Sequence, residues 1–398
     1  MTKRKKPSML SQETQDFIAV HRNEDIRSLA LQAKRYPNVD MREALSQIEG
    51  WQLAKEKLPQ WATTEGVLYP PRLSMEQCSS QATAQYKATI AGGKQMADIT
   101  GGFGIDCSYM ARNFDKATYI ERNSTLCDIA QHNFGLLNLN HITVINGQSE
   151  DIIDSLPRCN WIYADPARRD SNGSKVVALA DCEPNIPLLE EKLMSKCDKA
   201  MIKCSPMLDI TAACRELKHV NEVHVVAVNN ECKELLFILS SKEIDASIPI
   251  HCINILKEGS QQFSSTMGED YSTTYAQSIK EYLYEPNAAI QKGGCTDALT
   301  QSLDVKKLHP NSQLFTSSTH INEFPGRVFI VDGVSRFSKG EIKNMFGNIK
   351  KANITIRNFP DTVQGLRKRL KIDEGGDIYI FATTLFNNEK VLIKCHKA

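Results

Sequence analysis

The sequence predicts an α/β protein: a helical N-terminal stretch, a mostly parallel sheet covered by helices, and a C-terminal α+β module. Three observations carry this. Short apolar runs alternate with helical patterns from Met96 to Leu217, and parallel strands need such crossovers, which bury both faces of a sheet. Two strands, Val223 to Val228 and Glu234 to Ser240, flank the short polar turn Asn229-Asn230-Glu231-Cys232-Lys233, so they run antiparallel and the sheet ends on one reversed strand. A second, smaller alternation runs from Gly326 to the C-terminus.

Ser11 opens a first helix, and Asp40 with Glu43 forms a capping box for a second that runs towards Trp51 and Leu58. Tyr69-Pro70-Pro71 breaks the pattern. Ser74 with Gln77 caps a further helix, SMEQCSSQATAQYKATIA, which Gly92 and Gly93 end. Met96–Ile99, Ala117–Ile120, His141–Asn146, Trp161–Ala164 and Ala200–Cys204 read as strands. Ile105–Asn113, Asn123–Leu137, Pro187–Cys197 and Ile210–Leu217 read as the helices between and after them. Past Ser241 come a strand (Ile248–Leu256), a Ser-rich loop or hairpin (Gly259–Thr274) and a mostly helical run (Pro286–Leu303). The last unit reads strand RVFIV, helix KGEIKNMFGNIKKA, strand NITIRNF, helix TVQGLRKRL, hairpin DIYIFATTLF and KVLIKC.

A net charge of +1 exerts no global pull on nucleic acid, so any basic surface is local. No apolar run reaches the length of a membrane span, and MTKRKKPSML leads into polar sequence, so a cytoplasmic protein without membrane partners is expected. The twelve cysteines form no CxxC pair and no Cys/His run at zinc spacing; no metal is expected, and most of the thiols should be buried small hydrophobes.

The first strand ends at Asp98 and runs straight into Thr100, Gly101, Gly102 and Gly104. Glycine there permits positive φ and close approach of a ligand, and the next helix offers free N–H groups. In an open α/β sheet ligands bind at this edge. Glu121 ends the second strand, where a carboxylate can accept both hydroxyls of a ribose, and the third strand delivers Gly147-Gln148-Ser149-Glu150 to the same edge. Cys107 stands where a nicotinamide-binding fold has its third glycine, and the reversed strand does not suit that fold. The helix carrying Glu76, Gln77, Ser79, Ser80 and Thr83 precedes this turn, either lying over the ligand or presenting caps and a solvated face.

This arrangement resembles the first three motifs of class I S-adenosylmethionine (SAM) methyltransferases, with Asp98 in the acidic position of motif I and Glu121 in that of motif II. The resemblance implies a Rossmann-like class I methyltransferase sheet, SAM as cofactor, and cofactor contacts from Asp98, Thr100, Gly101, Gly102, Gly104, Glu121, Gln148 and Ser149. Gln148 stands where the family usually has Asp, but its carbonyl can still accept from an adenine amino group.

Strand four ends in Asp165-Pro166-Ala167-Arg168. This resembles motif IV of methyltransferases acting on base amino groups, with Ala167 in place of a second proline and Arg168 in place of an aromatic residue. An amino nitrogen delocalises its lone pair into the ring, so a carboxylate must accept its hydrogens and turn the lone pair towards the methyl group. Proline fixes the local backbone, and in-line placement supplies much of the rate. Asp165, Pro166 and Arg168 are therefore the expected catalytic residues. Asp-Pro-x-Arg is also similar to RNA uracil carbon-5 methyltransferases, in which a cysteine adds to the ring; Lys203-Cys204-Ser205-Pro206 stands in the corresponding place. Lys203 and Asp209 are candidates at the substrate mouth.

Lys350, Lys351, Arg357, Arg367, Lys368, Arg369 and Lys371 are opposed mainly by Glu341 and Asp361, a local positive surface of the kind that meets RNA phosphates; Arg357, Arg367, Lys368 and Arg369 are the candidate contacts. GRVFIVDG and ITIRNFPDTVQGLRKRLKIDEGGDIYIFATT resemble a THUMP-like domain that follows class I methyltransferase domains in bacterial proteins. YEPNAAIQKGG and KLHPNSQLFTSS resemble that family's ferredoxin-like connecting region. The expected domains are a helical region 1–73, a methyltransferase domain 74–242, a ferredoxin-like region 243–325 and a THUMP-like domain 326–398. The resemblance implies RNA modification, tRNA or rRNA being the partner; a protein that binds RNA on a SAM fold without catalysis is the alternative.

Overall fold

The computed structural model describes residues 10–168, 179–241 and 247–398. Its contacts divide the chain into two units, Met1–Asn221 with Leu236–Ile244, and Glu222–Leu235 with Asp245–Ala398.

The first unit begins with helices α1 Gln12–His21, α2 Ile26–Leu31, α3 Met41–Lys57, α4 Pro59–Ala62, α5 Arg72–Gln77 and α6 Gln81–Ile90. Ser11 and Asp40 cap α1 and α3 as expected, accepting from Thr14 N at 3.2 Å and Glu43 N at 3.1 Å. The helix expected from Ser74 to Ala91 is instead two helices. The first starts at Arg72, directly after Pro71, and the second is capped by Ser80, which accepts from Thr83 N. Cys78 between them is extended, at φ −65° and ψ 159°. Splitting the helix frees Ser79 to hydrogen-bond Asp106, described below.

The sheet strands are β1 Gly93–Asp98, β2 Phe114–Glu121, β3 Ile142–Asn146 and β4 Cys159–Ala164, then, after the two-residue antiparallel ladder of β5 Ala167–Arg168 with β6 Cys182–Glu183, β7 Cys197–Cys204, β8 Val220–Val228, β9 Glu231–Ser240, β10 Pro249–Ile255 and β11 Ser260–Thr266. The crossovers are α7 Ile105–Met110, α8 Ser124–Leu136, α9 Ser149–Ile152, α10 Ile186–Lys196 and α11 Ile210–Glu216. The order is β11-β10-β8-β9-β7-β4-β1-β2-β3, with β3, β2, β1, β4 and β7 mutually parallel. Asn229 and Asn230 both have positive φ, 49° and 65°, as a two-residue hairpin turn requires. The sheet was expected to end on this reversed pair. It continues, because β10 pairs parallel to β8 and β11 returns antiparallel to β10.

Aromatic packing places the glycine turn. Trp61 is fully buried and meets Phe103 edge-on, ring centroids 5.1 Å apart, in a cluster with Leu58, Tyr69, Met75 and Ile105. Buried Asn133 of α8 bonds both the N–H and the carbonyl of Leu68, at 2.9 and 2.8 Å, tying the segment before α5 to the sheet's helices.

The second unit's other sheet comprises β12 Tyr282–Pro286, β13 Lys306–Lys307, β14 Phe315–Ser317, β15 Gly326–Arg336, β16 Asn353–Arg357, β17 Tyr379–Thr384 and β18 Lys390–Lys397, ordered β13-β14-β12-β15-β18-β17-β16. Its helices are α12 Ala288–Gly293, α13 Leu299–Ser302, α14 Lys339–Phe346 and α15 Val363–Leu370. Phe346, Leu366, Leu370, Ile380 and Leu392 form the core beneath α14 and α15. Among the described residues no helix is long and apolar enough to cross a membrane.

Truncating Trp61 removes the floor under Phe103. Trp61→Ala is expected to lower unfolding free energy by about 3–5 kcal/mol in a denaturant titration. A change near zero would contradict the packing role.

Candidate active site

The turn after β1 has the backbone that its glycines permit. Gly102 and Gly104 have φ of +54° and +85°, and Gly104 sits at the N-terminus of α7. A Cβ on Gly101 would lie 2.3 Å from the Tyr119 ring, so glycine there is a packing requirement. A Cβ on Gly102 would meet only a carbonyl at 3.8 Å, which leaves that side open to a ligand.

Glu121 reaches the turn from the end of β2. One carboxylate oxygen accepts from Gly102 N at 2.9 Å and the other from Asn123 N at 2.7 Å. A carboxylate offers about four lone-pair sites, so this anchoring holds Glu121 in place and leaves acceptors over. Asp98 lies beneath, 1 % exposed, accepting from Thr100 N at 3.0 Å. Burial pushes its carboxyl well above the ordinary range, and the charges of Asp106, Asp165 and Glu121 push the same way. Thr100 also accepts from Asp165 N at 2.6 Å, so one hydroxyl links the first and fourth strand ends.

Asp106, in the first turn of α7, is the residue that sequence reasoning missed. Burial would raise its carboxyl, but Lys87, Lys203 and hydrogen bonds from Tyr163 and Ser79 outweigh it and hold the group below the usual carboxylate range. Ser79 Oγ and Tyr163 Oη donate at 2.7 and 2.6 Å, and fully buried Lys87 stands 3.2 Å away. The one local signal is the place of Asp106 two positions after Gly104 in GGFGID, in the first turn of the helix that follows the glycines. Of the other polar residues expected over the ligand, Ser80 caps α6 and Glu76 pairs with Arg72 at 2.7 Å.

Asp165 accepts from Lys203 Nζ at 2.5 Å, the two lying at the ends of neighbouring strands β4 and β7. Pro166 is buried beside it. Arg168 lies in β5, opposite Cys182; its side chain falls outside the described residues. Gln148 is exposed at the end of β3, and Ser149 is buried at the start of α9, its hydroxyl donating to Glu150 at 3.0 Å. Cys204 is buried, and burial first, then the charge of Asp165, pushes its thiol well above the usual value.

The candidate RNA contacts are differently disposed. Arg357 is held 2.7 Å from Glu285, a buried carboxylate that also takes Arg327, so this arginine is committed within its own sheet. Arg367 lies 3.4 Å from Glu374. Arg369 lies over the Phe337 ring at 4.7 Å. Lys350, Lys351, Lys368 and Lys371 are exposed.

The raised carboxyl of Asp98 has a consequence for pH. A folded pKa above the unfolded value means that stability is fully present below the unfolded value near 3.8 and is lost as pH rises towards the folded one. Asp98→Asn removes that loss and keeps an oxygen for Thr100 N. The variant's stability advantage over the parent is expected to be absent near pH 3.5 and to grow with pH in urea titrations; a pH-independent difference would contradict this.

Two family models match the C-terminal region: a ferredoxin-like domain over residues 282–325 and a THUMP domain-like one over residues 326–397. No curated protein matches the chain. Among solved structures, a candidate methyltransferase from Porphyromonas gingivalis W83 is 34 % identical with a TM-score of 0.88, the match covering 97 % of each chain. An rRNA methylase from Streptococcus thermophilus and a candidate methyltransferase from Streptococcus mutans in complex with SAH are each 11 % identical with TM-scores of 0.30; they cover 41 % and 40 % of this chain and 96 % of their own. The Porphyromonas gingivalis match, by contrast, spans nearly the whole chain. The protein belongs to the bacterial family of class I methyltransferase folds that carry ferredoxin-like and THUMP-like C-terminal domains.

Proposed function

We propose that this protein uses SAM to methylate an amino nitrogen of a base in structured RNA, tRNA or rRNA. The observation that carries the cofactor half is the acidic lining of the glycine turn: Asp98 accepts from Thr100 N, Glu121 accepts from Gly102 N, and Thr100 in turn accepts from Asp165 N, with Glu121 a carboxylate that no lysine pairs among the described residues. A dinucleotide would bring a pyrophosphate to this edge and meet repulsion. A sulfonium with an ammonium group relieves it. Glu121, fixed by two backbone N–H groups, keeps acceptors for ribose hydroxyls, and open Gly102 admits a ligand at its backbone. When bound, SAM supplies a methyl group on a cationic sulfur that departs as a neutral thioether.

The acceptor half rests on Asp165. Its Oδ2 is taken by Lys203, which fixes the carboxylate's orientation; Oδ1 is the acceptor for an amino hydrogen. Pro166 stiffens the chain beside it. Support for RNA comes from the THUMP-like match and from exposed Lys350, Lys351, Lys368 and Lys371. The carbon-5 reading needs Cys204 as a thiolate, which its burial disfavours.

Tritium transfer from labelled SAM to RNA of a strain lacking the protein tests this. Asp165→Ala is expected to lose about 100-fold or more of transfer while SAM binding persists, and Cys204→Ser to keep activity. Normal transfer by the Asp165 variant, or none by the Cys204 variant, contradicts the assignment. RNA affinity is expected to fall steeply with salt, and Lys368→Glu with Lys371→Glu to flatten the slope by about 1 per lost phosphate contact. Salt-insensitive binding speaks against RNA as substrate.

A further inference from the structure

Among the described residues, one group of side chains has the composition and spacing of a metal site: Glu222, His224 and His251, whose ligand atoms all lie within 4.8 Å of one another. We propose that these residues bind a divalent transition-metal ion of the Zn2+ class, clamping β8 to β10.

Sheet geometry assembles the group. Glu222 and His224 are two apart on β8 and so share a face. β10 runs parallel to β8 with His251 in register with His224, which places the imidazoles side by side, ring centroids 4.8 Å apart. The spacing separates a cation site from an ordinary ion pair. Elsewhere in this protein histidine closes on carboxylates at 2.7, 3.0 and 2.8 Å, in His21–Glu24, His219–Glu190 and His396–Asp332. Here a single oxygen, Glu222 Oε2, stands 3.7 Å from His224 Nε2 and 3.6 Å from His251 Nε2. That is too long for a hydrogen bond. It is close to the ~3.4 Å between two donors about 2.1 Å from a tetrahedral zinc.

The surroundings fit the same reading. His251 pairs across β10 and β11 with Ser264, and its Nδ1 lies 2.8 Å from Ser264 Oγ. In the tautomer that donates Nδ1–H to that hydroxyl, the Nε2 lone pair is left to ligate, the usual outer support of a metal-bound histidine. Two neutral imidazoles and one carboxylate suit zinc, with partial exposure of Glu222 and His251 leaving room for water as a fourth ligand. No cysteine or local motif is involved, so a search for CxxC or His-rich spacing passes over it.

Calorimetry of EDTA-treated full-length protein with ZnCl2, and Co2+ absorption, test the proposal. Saturable one-to-one binding and a raised melting temperature are expected. His251→Ala and Glu222→Gln should each weaken Zn2+ by at least about tenfold, with unchanged far-UV circular dichroism, and His396→Ala should not. Absence of saturable Zn2+ binding, or binding indifferent to both substitutions, overturns the proposal and leaves a pair of histidines sharing one carboxylate.

Discussion

The concentration of carboxylates at one end of the parallel sheet is the constraint on which the first unit depends. Asp98 and Asp106 are both buried within one turn of chain, and a buried charge without compensation is expensive. The fold answers in two ways. Asp106 is neutralised by buried Lys87 and by hydroxyls from Ser79 and Tyr163, which recruits α6, the break before it and β4 around a single side chain. Asp98 receives one backbone hydrogen bond and stays electrostatically frustrated. Under the proposed function, a cationic ligand at the strand edge relieves the crowding of acidic groups there. Under that proposal, the same crowding that weakens the free protein favours binding of a sulfonium.

Much of this site was legible in the sequence because its elements are local. Strand, glycines and helix lie within a few residues of each other, and Glu121 ends the adjoining strand, so TGGFG and its acidic partner could be read without knowing the fold. What escaped was non-local. Asp106 becomes central only because Lys87 and Tyr163, from α6 and β4, converge on it, and helical periodicity cannot reveal that Ser79 turns away from the helix pattern around it. The continuation of the sheet through β10 and β11 was missed for a related reason: a strand pattern beyond Ser241 says nothing of which strand it joins.

The C-terminal basic stretch shows the opposite error, reading charge as availability. Arg357 sits in a run of cations, yet it and Arg327 converge on buried Glu285, where removing either partner would leave a buried charge poorly paired. Charge that is visible in sequence was here partly structural, and the surface left for a polyanion is lysine-rich. The Glu222, His224 and His251 group arises in the same non-local way, from register between two strands that the sequence separates by more than twenty residues.

Calorimetric titration of the free protein with SAM and, in parallel, with NAD tests most directly whether the carboxylate cradle selects a cationic nucleoside. The account predicts saturable one-to-one binding of SAM, weakened by Glu121→Ala, and no heat from NAD at the same concentrations. Binding of NAD, or absence of SAM binding by protein that is folded by circular dichroism, would contradict it.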